Sequence, residues 1–164
     1  MIKNRIMFVC HGNICRSPMA ECIAKHILQK LGIADEYIIE SSATSTEELG
    51  SPIYPPARNE LYRRGITPVK REARQLSSSD YDRFDLFVLM DSRNQRNILR
   101  IFPSDPQNKI HLLMSYAGEH RDVSDPWYSG DFDTAFEDIL RGVKCLLSGL
   151  DCRITEEKIA KLSL

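Results

Sequence analysis

An α/β fold, with a parallel sheet covered by helices on both faces, is what this 164-residue sequence predicts. Two observations carry that expectation. Short apolar runs alternate with amphipathic segments of helical period, and strands separated by helices imply right-handed crossovers into a parallel sheet. The first run, Ile6-Met7-Phe8-Val9, also stops at a glycine-containing loop and leads directly into a helix. In a sheet of this kind, ligands bind at the carboxyl ends of the strands.

The elements follow in order. Ile6–Val9 reads as a buried strand, because it is short and has a β-branched residue at each end. Ala20, Ile23, Ala24, Ile27, Leu28 and Leu31 recur at helical spacing, with Ser17 placed to cap, Pro18 in the first turn and Gly32 at the end. Tyr37-Ile38-Ile39-Glu40-Ser41 is a second strand, followed by a polar loop from Ser42 to Ser51. Pro55-Pro56 opens a helix that runs through Leu61-Tyr62 and closes at Gly65. A short helical turn is expected from Ser77, with Asp80 three residues on. The clearest buried strand is Phe84–Met90, after which Asp91-Ser92 caps a helix carrying Ile98, Leu99 and Ile101. Lys109–Leu113 is a fourth strand. A long loop then reaches Asp133, expected to cap the last main helix with its stripe of Phe136, Ile139, Leu140, Val143 and Leu147. Residues 153–164 add a short amphipathic helix or a tail, through Ile154, Ile159 and Leu162.

Composition narrows the function. The chain is expected to form one domain over residues 1–164, and 42% hydrophobic content with no membrane-length apolar stretch fits a soluble protein. A net charge of −1 and the lack of a polybasic block argue against general nucleic-acid or membrane-surface binding. The clusters Arg63-Arg64 and Lys70-Arg71 with Arg74 read equally well as solvated faces or recognition patches. Met1–Arg5 runs straight into the first strand, arguing against a cleaved signal peptide, and five cysteines then point to a reducing, cytoplasmic setting. No C-x2-C pair or H-E-x-x-H is present, so neither metal nor cofactor is expected. Cys22, Cys145 and Cys152 read as ordinary core or surface residues.

The chemistry concentrates in Cys10-His11-Gly12-Asn13-Ile14-Cys15-Arg16-Ser17, between the first strand and its helix. A cysteine six positions before an arginine is weak on its own: chance would supply it roughly 0.4 times in a chain with these counts. Its placement is what matters. The loop forms a nest of backbone N–H groups at a helix N-terminus, which binds anions and supports negative charge on a nucleophilic sulfur. The full string, Val-Cys-x-Gly-Asn-x-Cys-Arg-Ser-Pro, resembles the phosphate-binding loop of the low-molecular-weight protein tyrosine phosphatases, and the likeness extends along most of the chain.

That resemblance implies a three-layer α-β-α fold with strand order 2-1-3-4 and the loop at the end of strand 1. It also implies phosphotyrosine proteins as substrates, inorganic phosphate as product, a monomer, and Cys10, Arg16 and Asp125 as catalytic residues. The sheet-edge rule reaches Asp125 separately. Of the two Asp-Pro pairs, Asp105-Pro106 precedes the fourth strand and belongs at the far edge, whereas Asp125-Pro126 follows it and shares an edge with Cys10. Proline favours an extended backbone at Asp125, and Trp127-Tyr128 supply an aromatic wall.

Supporting readings are less specific. Ser17 either donates to the sulfur or caps the helix, and the two roles are compatible. Asn13 tolerates left-handed backbone and can brace the loop. Asp91 either orients Arg16 or caps a helix, and Ser41 is similarly placed after strand two. Cys15 resembles the family's second loop cysteine, which forms a reversible disulfide with the nucleophile, although a plain core role would suffice. His11 is expected to face solvent. Ile14 stands where members resembling protein-arginine phosphatases carry threonine, which favours phosphotyrosine.

Two departures stand out. Many members brace the asparagine with a histidine two residues before an Ala-Arg-Gln stretch; here Ala73-Arg74-Gln75 follows Arg71 at that interval. Either the support of Asn13 differs from that pattern or Arg71 reaches for substrate instead. Where many members place an aromatic, this chain has Thr46-Glu47-Glu48, so that wall is expected to be open or acidic, with Trp127 compensating. Three other functions use similar residues. A thiol-dependent arsenate reductase needs cysteines after the third strand, and residues 76–100 have none. A phosphotyrosine-binding pseudoenzyme would lack nucleophile or acid, and both are present. A redox sensor would use Cys10 and Cys15 alone.

Overall fold

The structure, a computed structural model, describes residues 1–164. Four parallel strands, β1 (Asn4–Cys10), β2 (Tyr37–Ala43), β3 (Leu86–Leu89) and β4 (Ile110–Leu112), form one sheet in the order β2-β1-β3-β4. The helices are α1 (Arg16–Lys30), α2 (Pro55–Arg63), α3 (Asp80–Arg83), α4 (Ser92–Ile98), α5 (Pro126–Ser129), α6 (Phe132–Leu150) and α7 (Glu156–Ala160). Short 3₁₀ turns lie at Ala34–Glu36 and Leu113–Ala117.

Central strand β1 explains the layering. Its side chains alternate between faces, so Ile6, Phe8 and Cys10 join one core with residues of α1, α2, α6 and α7. Met7 and Val9 join a second core with Leu76, Phe84, Phe87, Leu89, Ile98 and Phe102 on the α3–α4 side. Ile6 through Val9 have 0% exposure, and each such side chain contributes about 1.5–3 kcal/mol of burial. That double burial is why the first strand reads as a continuous apolar run rather than an alternating one. Gly32 and Gly65 follow α1 and α2 with φ of 75° and 74°, a left-handed backbone that glycine adopts without steric cost.

Local signals misplace several boundaries. Ser17 does not cap α1; Cys15 occupies that position without a side-chain bond, and the Ser17 hydroxyl turns to Cys10 instead. The cap of α6 is Asp131, which accepts from the Thr134 N–H at 2.9 Å, while Asp133 is drawn to Arg64 at 3.3 Å. Strand β2 continues to Ala43, two residues into the expected loop, because Ser42 and Ala43 still pair with Val9 and Cys10. Strand β3 starts at Leu86: Phe84 ends α3, and Asp85 instead accepts from the Arg5 N–H. A helical turn does start at Ser77, whose carbonyl accepts from the Asp80 N–H at 3.0 Å while the Asp80 carboxylate accepts from the Ser77 N–H at 2.8 Å, and α3 proper follows from Asp80. Helix α4 stops at Ile98, leaving Leu99 exposed. The 153–164 segment does form a helix, α7, capped by Thr155.

Candidate active site

Cys10 is the last residue of β1 and is 3% exposed. Its sulfur lies 3.0 Å from the Ser17 hydroxyl and 3.3 Å from the Asn13 N–H. The turn that aims this N–H requires a left-handed residue, and Asn13 sits at φ 59°. Its side chain is fully bonded. The amide nitrogen donates to Ser17 Oγ at 2.8 Å and Ser41 Oγ at 2.9 Å, while Oδ1 accepts from the Arg74 N–H at 3.2 Å and from the Arg71 guanidinium. Arg71 also donates to the Asn13 carbonyl at 2.8 Å. The support of Asn13 does differ: Arg71 itself braces the loop. Burial depresses its pKa, partly offset by Glu21 and Cys10.

The network continues outward. Ser41 donates to Glu21 at 2.6 Å, and the other Glu21 oxygen meets Lys25 at 2.6 Å. Sequence reasoning missed Glu21. Its signal is an acidic residue on the buried face of α1, recognisable only once Ser41 is known to face it.

Arg16, 2% exposed, uses Nη1 on Asp91 at 2.7 Å and on the Val123 carbonyl at 2.8 Å; Nη2 meets Asp125 at 3.3 Å. Burial opposes its charge, but Cys10, Asp125 and Asp91 outweigh that penalty and raise its pKa. Asp91 performs both expected roles, since its second oxygen caps α4 on the Asn94 N–H at 2.7 Å. Asp125 caps α5 through the Trp127 N–H at 3.1 Å. The loop before it is pinned to the carboxyl end of β3 by Val123 N–H to Met90 O at 2.9 Å. Asp105 stays at the opposite edge, bonded to the N–H groups of Lys109 and Ile110.

These residues open into one pocket. Cys10, Arg16, Ile14 and Cys15 line it together with Asp125, Trp127 and Tyr128, and with Gly12, His11, Glu47 and Glu48. His11 is not free in solvent: its side chain is 20% exposed and its Nε2 pairs with the Glu47 carboxylate at 2.9 Å. The wall is therefore acidic rather than open. Trp127 is 50% exposed and leans on Tyr54 at a ring distance of 4.8 Å, a support that no local pattern announces. Burial, with Cys10 and Asp125 nearby, pushes the Cys15 thiol pKa far up. No group of three or more metal-ligating side chains is present, and no helix is long and apolar enough to cross a membrane.

A sulfur facing the Asn13 N–H and the Ser17 hydroxyl, with an arginine beside it at the carboxyl edge of a doubly covered parallel sheet, defines the class: an α/β protein with its candidate site in the loop after the first strand. Comparison then narrows it. The family model "Low molecular weight phosphotyrosine protein phosphatase" matches residues 5–160, and the chain belongs to that family. A protein of that name from Schizosaccharomyces pombe is 40% identical over 134 residues, covering 79% of this chain and 85% of the relative. Its counterpart from Gallus gallus is 35% identical over 147 residues, covering 87% and 92%. The crystal structure of YfkJ from Bacillus subtilis superposes with a TM-score of 0.87 at 32% identity, covering 94% of this chain and 98% of that one.

Proposed function

We propose that the protein hydrolyses phosphotyrosine in proteins, and small aryl phosphates, through a phosphocysteine intermediate on Cys10. The observation that supports this most is the convergence of Cys10, Arg16 and Asp125 on one pocket from two distant parts of the chain, the 10–17 loop and the segment after β4. Family membership points the same way.

The substrate phosphate enters over Cys10 and takes the amides of loop 10–17 together with the Arg16 fork, which suits two phosphate oxygens. Asp91 and Val123 hold Arg16 Nη1 from behind. The longer contact, Nη2 to Asp125 at 3.3 Å, is the one that phosphate replaces. The Cys10 thiolate then forms the S–P bond as the P–O bond to the ring breaks. Asp125, as the neutral acid, gives its proton to the departing phenolate, the anion of an acid with pKa near 10. As a carboxylate it next takes a proton from water, whose oxygen attacks phosphorus; the S–P bond breaks and inorganic phosphate leaves. Ser17 and the Asn13 N–H stabilise the sulfur anion at both ends of the cycle.

Residues 1–164 are proposed to act as one domain, working as a monomer on cytoplasmic proteins; the five unpaired cysteines suit a reducing compartment. The test is hydrolysis of phosphotyrosine and para-nitrophenyl phosphate. Wild type turns over both, and Cys10→Ser turns over neither. Asp125→Ala loses ~100-fold or more on phosphotyrosine, and much less on the nitrophenyl ester, whose leaving group needs little protonation. Equal losses on the two esters would overturn the acid assignment.

A further inference from the structure

Resting on that reading, we infer that Glu47 and Glu48 make the site selective for phosphotyrosine flanked by lysine or arginine. The charge of the pocket is the starting point. Its lining contains the carboxylates of Glu47, Glu48 and Asp125 against a single guanidinium, that of Arg16. A phosphate ester brings a further charge of roughly −1.5 to −2. Arg16 and the loop amides serve that charge at the bottom of the pocket, where Asp125 is committed to the leaving group. Glu47 and Glu48 have no such task. They stand at the mouth, and a substrate with acidic neighbours meets them as like charges.

Both glutamates are held in place by the loop they border. Thr44 and Ser45 donate backbone N–H bonds to the Cys10 and His11 carbonyls at 2.9 and 3.1 Å, and the Ser45 hydroxyl donates to the His11 carbonyl at 2.8 Å. Ser45 Oγ also accepts from the Glu47 N–H at 3.4 Å. The Glu48 side chain packs across Gly12, with Cγ 3.6 Å from where a Cβ would sit, and its carboxylate accepts from Ser51 at 3.1 Å. The acidic edge is thus tied to the phosphate loop and does not swing freely.

Glu47 shows what it accepts. Its side chain is 67% exposed, and its partner is the His11 imidazole at 2.9 Å. A peptide lysine or arginine offers the same contact with a full, permanent charge and a longer reach. The opposite side of the mouth offers apolar surface, since Trp127 and Tyr128 are 50% and 74% exposed. A phosphotyrosine peptide would place its ring and backbone against the aromatics and its basic neighbour against the glutamates.

Two phosphotyrosine peptides test this, identical except for lysine or glutamate at the positions immediately before and after the phosphotyrosine. Wild type is expected to favour the lysine peptide on the order of tenfold in kcat/KM at low salt, with the ratio shrinking as ionic strength rises. In Glu47→Gln/Glu48→Gln the ratio falls towards one, and in Glu47→Lys/Glu48→Lys it inverts. Because the readout is a ratio of two peptides on the same enzyme, a general loss of activity in a variant does not mimic the effect. Equal rates in wild type, a preference for the acidic peptide, or a basic preference that survives the double substitution would each overturn the inference. If wild type hydrolyses both peptides equally, the phosphatase reading stands without it; if it hydrolyses neither, that reading falls and takes the inference with it.

Discussion

Single residues in this site serve two structures at once, and Asp91 is the clearest case. One oxygen orients Arg16 at 2.7 Å and the other caps α4 on the Asn94 N–H at 2.7 Å. The roles separate in Asp91→Asn, because an amide oxygen still caps a helix while the charge facing Arg16 is lost. In that variant kcat/KM is expected to fall about tenfold or more with thermal stability nearly unchanged, as read by steady-state kinetics beside calorimetry. A parallel loss of both would make the cap the dominant role. Asn13 is just as heavily committed, since one side chain aims its own N–H at sulfur while meeting Ser17, Ser41, Arg71 and Arg74. Arg71 fills the bracing position with a permanent charge where a histidine would titrate.

At the scale of elements, the segment leading into α3 carries this bracing. Residues 73–76 bond to the end of β2 through Ala43 N–H to Arg74 O and Leu76 N–H to Ala43 O, each at 2.8 Å. Asp80 anchors the segment: its carboxylate has 0% exposure and takes the Arg74 guanidinium at 3.0 Å and the Ser77 N–H at 2.8 Å. Burial alone would raise the Asp80 pKa, but Arg74 and Ser77 outweigh it and hold it below the ordinary carboxylate value. A lowered native pKa means stability that is present above the unfolded value, near 3.9, and lost as pH falls through the native one. Asp80→Asn is therefore expected to be less stable than wild type by about 2 kcal/mol at neutral pH. The gap should close as pH drops below about 4, as followed by urea denaturation across pH. A gap that is independent of pH would contradict the assignment.

Across the whole molecule, what the sequence reveals depends on how far apart the interacting residues lie. Strand, loop and helix around Cys10 are contiguous, so burial, turn chemistry and helical period make them legible from residues 6–31 alone. Asp125 is far from Cys10 in sequence, yet it is legible because a parallel sheet puts every strand's carboxyl end on one edge. Glu21, Tyr54 and the choice made by Arg71 are not legible, because each depends on where two other segments cross. The caps mislead for a related reason. At Ser17 a local preference for the cap yields to a sulfur brought close by the fold, and at Asp133 it yields to an arginine on α2's end. These segments converge on one particular sulfur, proposed to take the phosphoryl group. Rapid acid quench during turnover of a phosphotyrosine peptide, followed by peptide mass spectrometry, tests it directly. A phosphoryl adduct on Cys10 that is absent in Cys10→Ser is the expected result, and with para-nitrophenyl phosphate, whose leaving group needs little protonation, the adduct accumulates in Asp125→Ala. Turnover without an adduct, or an adduct on another residue, would contradict it.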